Sequence, residues 1–173
     1  ASEQINELIN EALSQANLKL SDMQAIAISN GPGSYTGLRI GAAVAKGIAY
    51  ALNIPIIALP TLAIMTNKAI ISENISDFLV VPNIDARRDE VYFAVYNSKL
   101  EELYKAQPCI LDDDFLSFFE NGNQYFFIGN ASEKIHIYLQ QKLLNHKFIF
   151  HQDFEYTAKD MIELANHYFQ LTN

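Results

Sequence analysis

Residues 25–53 read AIAISNGPGSYTGLRIGAAVAKGIAYALN, and the fold turns on how Ala25–Asn53 divides. Ala25 to Ser29 is a short apolar run of strand type, while the stretch beyond Gly41 is apolar at helical spacing. Between them, Ser29 to Gly41 holds four of the chain's seven glycines. A glycine-rich turn from a strand into a helix is where many α/β proteins hold a phosphate. The glycines are Gly31, Gly33, Gly37 and Gly41. A dinucleotide fingerprint needs a glycine where Thr36 stands, and a P-loop needs a lysine where Leu38 follows Gly37. Neither pattern fits. What remains is a helix start with free N–H groups, the hydroxyls of Ser34 and Thr36, and the guanidinium of Arg39. Two readings stay open: an anion or nucleotide contact at Gly31, Gly33, Ser34, Thr36 and Arg39, or a tight turn whose glycines admit a neighbouring backbone.

The helix itself is more specific. Gly37, Gly41, Ala45 and Ala49 recur every four residues, so one stripe is almost without side chains. A glycine inside a helix costs up to about 1 kcal/mol relative to alanine, and this helix carries Gly37, Gly41 and Gly47. Close approach to another helix would compensate, whether that helix belongs to this chain or to another subunit.

Outward from this segment, Ile5, Leu8, Ile9, Ala12, Leu13 and Ala16 set an amphipathic helix in the first residues. PIIALP predicts a buried strand, and TLAIMTNKAI a helix capped by Thr61. FLVVPNID predicts a strand, DARRDE a charged turn, EVYFAVYN a returning strand, and LEELYKAQPCIL a third antiparallel one. From Asp112 the expected order is helix (DDDFLSFFEN), strand (YFFIGNA), helix (SEKIHIYLQQKLL), strand (KFIF) and helix (TAKDMIELANHYF). Strands alternating with helices, plus one meander, predict an α/β protein with a mixed sheet.

The net charge of −8 speaks against a free-standing nucleic-acid binder, which needs a basic surface. An acidic subunit still suits an RNA pathway in which a partner does the binding. The single cysteine, Cys109, allows no internal disulfide and fits a reducing compartment, so the expected location is the cytoplasm. No apolar run is of membrane-spanning length and no signal peptide is evident. His136, His146, His151 and His167 form neither an H-x-x-x-H nor an H-E-x-x-H pair, and no G-x-S-x-G elbow appears. No complete catalytic set emerges. Asp85, Arg87, Arg88 and Asp89 form the charged turn: either a solvated hairpin tip, or an ion-paired loop that meets a partner or a nucleotide through its planar arginines.

SNGPGSYTGLRIGAAVAKGIAYALNIPIIALPTL, followed by IDARRDEVYFAVY, resembles the TsaB family, also called YeaZ, which is similar to the glycoprotease-like proteins of the actin/Hsp70/sugar-kinase superfamily. The likeness covers Ile5 to about Tyr96, with FIGNA as a weaker echo. It implies an actin-like α/β fold, with residues 1–77 as an N-terminal subdomain lacking its first strands and 78–173 as the C-terminal subdomain. It also implies a non-catalytic partner and activator of TsaD in the bacterial machinery that makes threonylcarbamoyladenosine beside the anticodon of tRNA. By the same resemblance the first two helices form a subunit interface through Ile5, Leu8, Ile9, Ala12, Gly37, Gly41, Ala45 and Ala49. The partners implied are a TsaD-like protein, a TsaE-like ATPase, a second copy when the chain is alone, and tRNA only indirectly. ATP and a metal ion would belong to TsaD, with no cofactor bound by this chain alone.

The chain departs from the family in lacking the Asp-Thr-Ser strand hairpin ahead of the first helix, and in ending early, which together read as a fragment. TsaD carries metal-binding histidines on the helix matching Ser2 to Ala16, and this helix has none. The alternatives are a glycoprotease-like peptidase or ATP-using enzyme of the same superfamily, and a homodimeric fragment without present function.

Overall fold

The structure is a computed structural model that describes residues 2–119, 122–142, 147–151 and 154–172. In chain order its elements begin with α1 (Ser2–Gln15), β1 (Ile26–Ser29), α2 (Tyr35–Leu52), β2 (Ile56–Leu59) and α3 (Thr61–Ser72). There follow β3 (Leu79–Asp85), β4 (Glu90–Tyr96), β5 (Glu102–Ile110), α4 (Asp113–Leu116), β6 (Gln124–Ile128), α5 (Ser132–Gln140), β7 (Lys147–His151) and α6 (Ile162–Thr172). The chain divides into two units, Ala1–Thr61 with Met161–Asn173, and Leu62–Asp160. His146 lies outside the described residues.

In the first unit, β1 and β2 pair in parallel, from Ile26 opposite Ile56 to Ser29 opposite Leu59. A parallel pair needs a crossover, and α2 supplies it, packing on both strands, while α6 packs on β2. Ser34 starts α2 as its N-cap, its Oγ accepting from the Gly37 N–H at 3.4 Å. Asn53 ends it in the left-handed region at φ 54°, donating back to the carbonyls of Ala49 and Tyr50. The glycine turn is tied down by two backbone bonds, Asn30 N–H to Leu59 O at 2.9 Å and Thr61 N–H to Gly31 O at 2.8 Å. Thr61 is thus the first residue of α3 rather than its cap. Its hydroxyl is bonded to Ser29 Oγ at 2.6 Å.

The second unit is a five-stranded sheet in the order β5-β4-β3-β6-β7. The β5-β4-β3 portion is antiparallel and the β3-β6-β7 portion parallel, which makes the mixed sheet that the sequence predicts. Both faces are buried over β4, β3 and β6, and the period-two alternation of a strand sorts side chains between them. Val81, Val91, Phe93, Val95, Tyr125 and Phe127 turn to one core, with Phe115, Phe119, Ile135 and Leu139 from α4, α5 and the loop between α4 and β6. Val80, Ala94, Tyr96, Phe126 and Ile128 turn to the other, covered by Leu62, Met65 and Ala69 of α3. The first core is aromatic. Phe93 meets Phe115 and Phe118 edge-on, each at 5.1 Å between ring centroids, the geometry that ring quadrupoles favour.

α4 is shorter than DDDFLSFFEN suggests. Asp112 caps it, Oδ1 accepting from the N–H groups of Asp114 and Phe115 at 3.0 and 3.2 Å. The helix then stops at Leu116, and Phe118 and Phe119 enter the aromatic core instead; residues 120 and 121 lie outside the described ones.

Where β6 hands over to α5, the chain presses against β3. Gly129, at φ 122°, has no room for a Cβ, which would land on the Asn83 carbonyl. Asn83 is fully buried and fully used: its Nδ2 donates to Val81 O and Ser132 Oγ, and its Oδ1 accepts from the Ala131 N–H and the Ser132 hydroxyl. One turn into α5, Lys134 reaches the β3–β4 connection. Its Nζ donates to Asp85 Oδ1 at 2.5 Å, Arg88 O at 2.8 Å and Glu90 O at 2.9 Å. The Lys134 hydrogen bond, helped by the Arg87 N–H, holds the Asp85 carboxyl below its ordinary value of 3.8.

Two outcomes follow from these contacts. Gly129→Ala adds both a clash and a positive-φ penalty, and should lose about 3 kcal/mol of stability in urea unfolding. Because the Asp85 value is depressed on folding, its contribution is present above pH 3.8 and lost as pH falls through the folded value. The stability gap between wild type and Lys134→Met should therefore narrow below about pH 4, leaving the pH-independent part from the two carbonyl bonds. In NMR titration the Asp85 carboxyl should move upward in the variant.

Candidate functional site

The small-residue stripe of α2 has two fates. Ala45 and Ala49 are buried, 3% and 6% exposed, on the side that packs on β1 and β2. Gly41 is half-buried and Gly37 exposed. At 3.6 residues per turn, Thr36, Ile40, Ala43, Gly47 and Tyr50 fall on roughly the opposite side of the helix. That side is open. Ala43 and Gly47 are exposed, Tyr50 is 91% exposed, and nothing lies within 4 Å of a Cβ placed on Gly47. Arg39 and Lys46 edge this face, with Tyr35, 73% exposed, beyond them. A shallow groove of about 900 Å³ runs beside its C-terminal half, lined by Lys46, Tyr50, Asn53, Ile54 and Pro55 among others.

On α1, Ile5 and Ile9 are half-buried, Ala12 is exposed, and Leu8 is 63% exposed. An exposed leucine alone means little. Here it sits between the exposed carboxylates of Glu7 and Glu11.

The residues expected to take an anion are engaged in ordinary helix-start chemistry. Ser34 caps α2, and Gly31 lies in the left-handed region at φ 108°, with Leu38 closing the space where its Cβ would be. Arg39 Nη1 donates to the Tyr35 hydroxyl at 3.3 Å, and its guanidinium lies over that ring, 5.3 Å from the centroid. Gly33 and Thr36 are exposed.

The charged turn is more ordered than a solvated tip requires. Asp85 accepts from Lys134 and from the Arg87 N–H, and its own N–H donates to Asn130 Oδ1. Arg87 and Arg88 both adopt positive φ, 75° and 49°. Asp89 is exposed, and its carbonyl accepts the Leu111 N–H at 2.8 Å. Among the described residues no group of three or more His, Cys, Asp or Glu suits a metal ion, and no helix is long and apolar enough to cross a membrane. His136 stacks on Phe150, His151 lies 3.7 Å from Glu73, and burial pushes the Cys109 thiol up.

Helical spacing alone misses the open face of α2 and the role of Lys134. A signal for the first was present, since Met23 to Ser72 contains no Asp or Glu in a chain that has twenty. No local pattern announces Lys134, whose partners are more than forty residues away.

The family model for TsaD, described as tRNA N6-adenosine threonylcarbamoyltransferase, matches residues 1–172. The tRNA threonylcarbamoyladenosine biosynthesis protein TsaB of Buchnera aphidicola subsp. Acyrthosiphon pisum is 29% identical over 176 residues, covering 86% of this chain and 79% of that protein. The Bacillus subtilis protein of the same name is 33% identical, over 70% of this chain and 53% of its own length. For that of Haemophilus influenzae the figures are 39% identity, 50% and 36%. The match thus spans about half or less of the latter two relatives. Among solved structures, YeaZ from Pseudomonas aeruginosa superposes with a TM-score of 0.77 at 25% identity, over 99% of this chain and 79% of that one. A second Pseudomonas aeruginosa structure, described as similar to peptidase YeaZ, gives 0.79 at 26%, over 98% and 76%. With its mixed sheet flanked by helices, this actin-like chain belongs to the TsaD family and, within it, to the TsaB/YeaZ proteins.

Proposed function

We propose that the chain is a non-catalytic subunit of the machinery that makes threonylcarbamoyladenosine on tRNA, and that it acts by docking a TsaD-like protein through α1 and α2. The observation that carries the docking reading is the open side of α2, an uncharged strip where Ala43, Gly47 and Tyr50 are exposed and Ile40 is half-buried. Glycine at position 47 weakens the helix and fills no space in this chain. Close approach by a partner backbone gives it a use. The interface residues on α2 are therefore this strip and its basic edge, with Gly37 and Gly41 at its margin, while Ala45 and Ala49 hold the helix to its own sheet. On α1 they are Leu8 and Ala12, with Ile5 and Ile9 behind them.

Charge supports the same surface. α1 presents Glu7 and Glu11 beside Leu8, and α2 presents Arg39 and Lys46 with no acidic residue along its length. Opposite signs on the two helices suit a second copy as well, α1 of each facing α2 of the other, which is the state we assign to the chain without its partner. On this reading ATP, a metal ion and the TsaE-like ATPase engage the TsaD-like subunit, and the cytoplasm is the working compartment.

The reading is tested by complementation: expression of the chain should restore threonylcarbamoyladenosine, measured by mass spectrometry of bulk tRNA, in bacteria depleted of TsaB. The docking surface has its own test. Gly47→Leu should raise the thermal midpoint of the isolated chain by about 2–4 °C, because helix propensity improves and the site is open. The same variant should fail to co-elute with TsaD in gel filtration. A complex that forms normally with Gly47→Leu would remove this face of α2 from the interface.

A further inference from the structure

Connections between antiparallel strands that need positive φ ordinarily place glycine, asparagine or aspartate there. The β3–β4 connection instead places Arg87 and Arg88 in the left-handed region, one after the other. For an arginine this backbone is strained. The strain is held by a dedicated fastening: the Lys134 ammonium is bonded to Asp85, to the Arg88 carbonyl and to the Glu90 carbonyl, and the turn closes on itself through Ala86 N–H to Glu90 O and Glu90 N–H to Arg87 O. Asp85, two residues before Arg87, accepts from Lys134 and from the Arg87 N–H. Both arginine side chains are exposed, and neither guanidinium has a hydrogen-bond or ion-pair partner among the described residues. The chain has three arginines, and two of them stand here.

We infer that the turn is a phosphate-contact site, in which Arg87 and Arg88 donate to the phosphate backbone of RNA and Lys134 is the positioning residue that holds the strained backbone. Two adjacent planar guanidiniums offer more donors than a single carboxylate can accept, and a phosphodiester with its neighbours can accept them. Asp89 and Glu90 flank the pair, and the chain is acidic overall, so the contact is short-ranged and weak alone. This inference rests on the preceding reading only in taking RNA as the phosphate-bearing partner, and it adds a direct contact where the sequence suggests an indirect one.

The test is fluorescence anisotropy of a labelled RNA stem-loop with the full chain at low salt. Binding should weaken with salt at a log–log slope of about 1.4, as two single-strand contacts predict. Arg87→Gly with Arg88→Gly should weaken it at least tenfold while the thermal midpoint stays level or rises, because glycine relieves the backbone. Arg87→Lys with Arg88→Lys should restore binding only in part, and Lys134→Met should fall between wild type and the glycine pair. Inorganic phosphate that competes fully at millimolar concentration would assign the same site to the free anion. Four results overturn the inference: no RNA binding by wild type, undiminished binding by the glycine pair, a fall in thermal midpoint that accounts for the loss, or preferential capture of polyglutamate. The readout uses this chain alone, so its failure leaves the complementation result untouched, and the reverse holds as well.

Discussion

The contact between β3 and the β6–α5 connection governs the second unit. Asn83 and Gly129 meet so closely that no other residue fits at 129, and the amide of Asn83 is consumed by the first residues of α5. A buried amide is tolerable only when its donors and acceptors are met, so strand and helix start fix each other. α5 then has one orientation over the aromatic core, with Ile135 and Leu139 inward. That orientation delivers Lys134 to the β3–β4 turn. The exposed arginines are thus positioned by a chain of contacts that begins at a fully buried asparagine.

In the first unit the corresponding constraint is backbone to backbone. Gly31 accepts from Thr61 and Asn30 donates to Leu59, so the start of α2 is pinned to the end of β2 before any side chain matters. Ser34 and Asn53 then set the helix limits. With both ends fixed and one side packed on β1 and β2, the opposite side has no freedom to turn inward. Its exposed strip follows from this geometry.

Much of this was legible in the residues. The apolar runs of FLVVPNID and EVYFAVYN predict strands, and the charged turn between them lies where the pattern breaks. Asp112 as a helix start was equally clear. The side on which α2 is buried was not. A stripe of glycine and alanine signals close approach without saying to what, and a sheet accepts it as readily as a helix. Hydrophobicity did not decide it either, because both sides of α2 are apolar. Charge adds a second signal: Met23 to Ser72 is free of Asp and Glu in an acidic chain, and the charged residues of α2, Arg39 and Lys46, are both exposed. Thr61 departs from the expected cap in a similar way, its hydroxyl bonded to the neighbouring strand through Ser29. The short α4 reflects competition of the same kind, with Phe118 and Phe119 worth more in the aromatic core than in another helical turn.

An acidic protein in an RNA pathway must avoid holding nucleic acid where it is not wanted. A broad basic surface binds any phosphate backbone and steers it from a distance. Two guanidiniums set among carboxylates attract RNA only at short range, because salt screens exposed charges beyond a Debye length of about 8–10 Å. Such a pair binds weakly by itself and contributes most once an RNA is held close, where a fixed backbone position matters more than total charge. Strain at Arg87 and Arg88 and the three bonds of Lys134 fix the backbone from which both guanidiniums project. The net charge of −8 and an RNA contact are therefore compatible, with the first keeping the second weak outside an assembly.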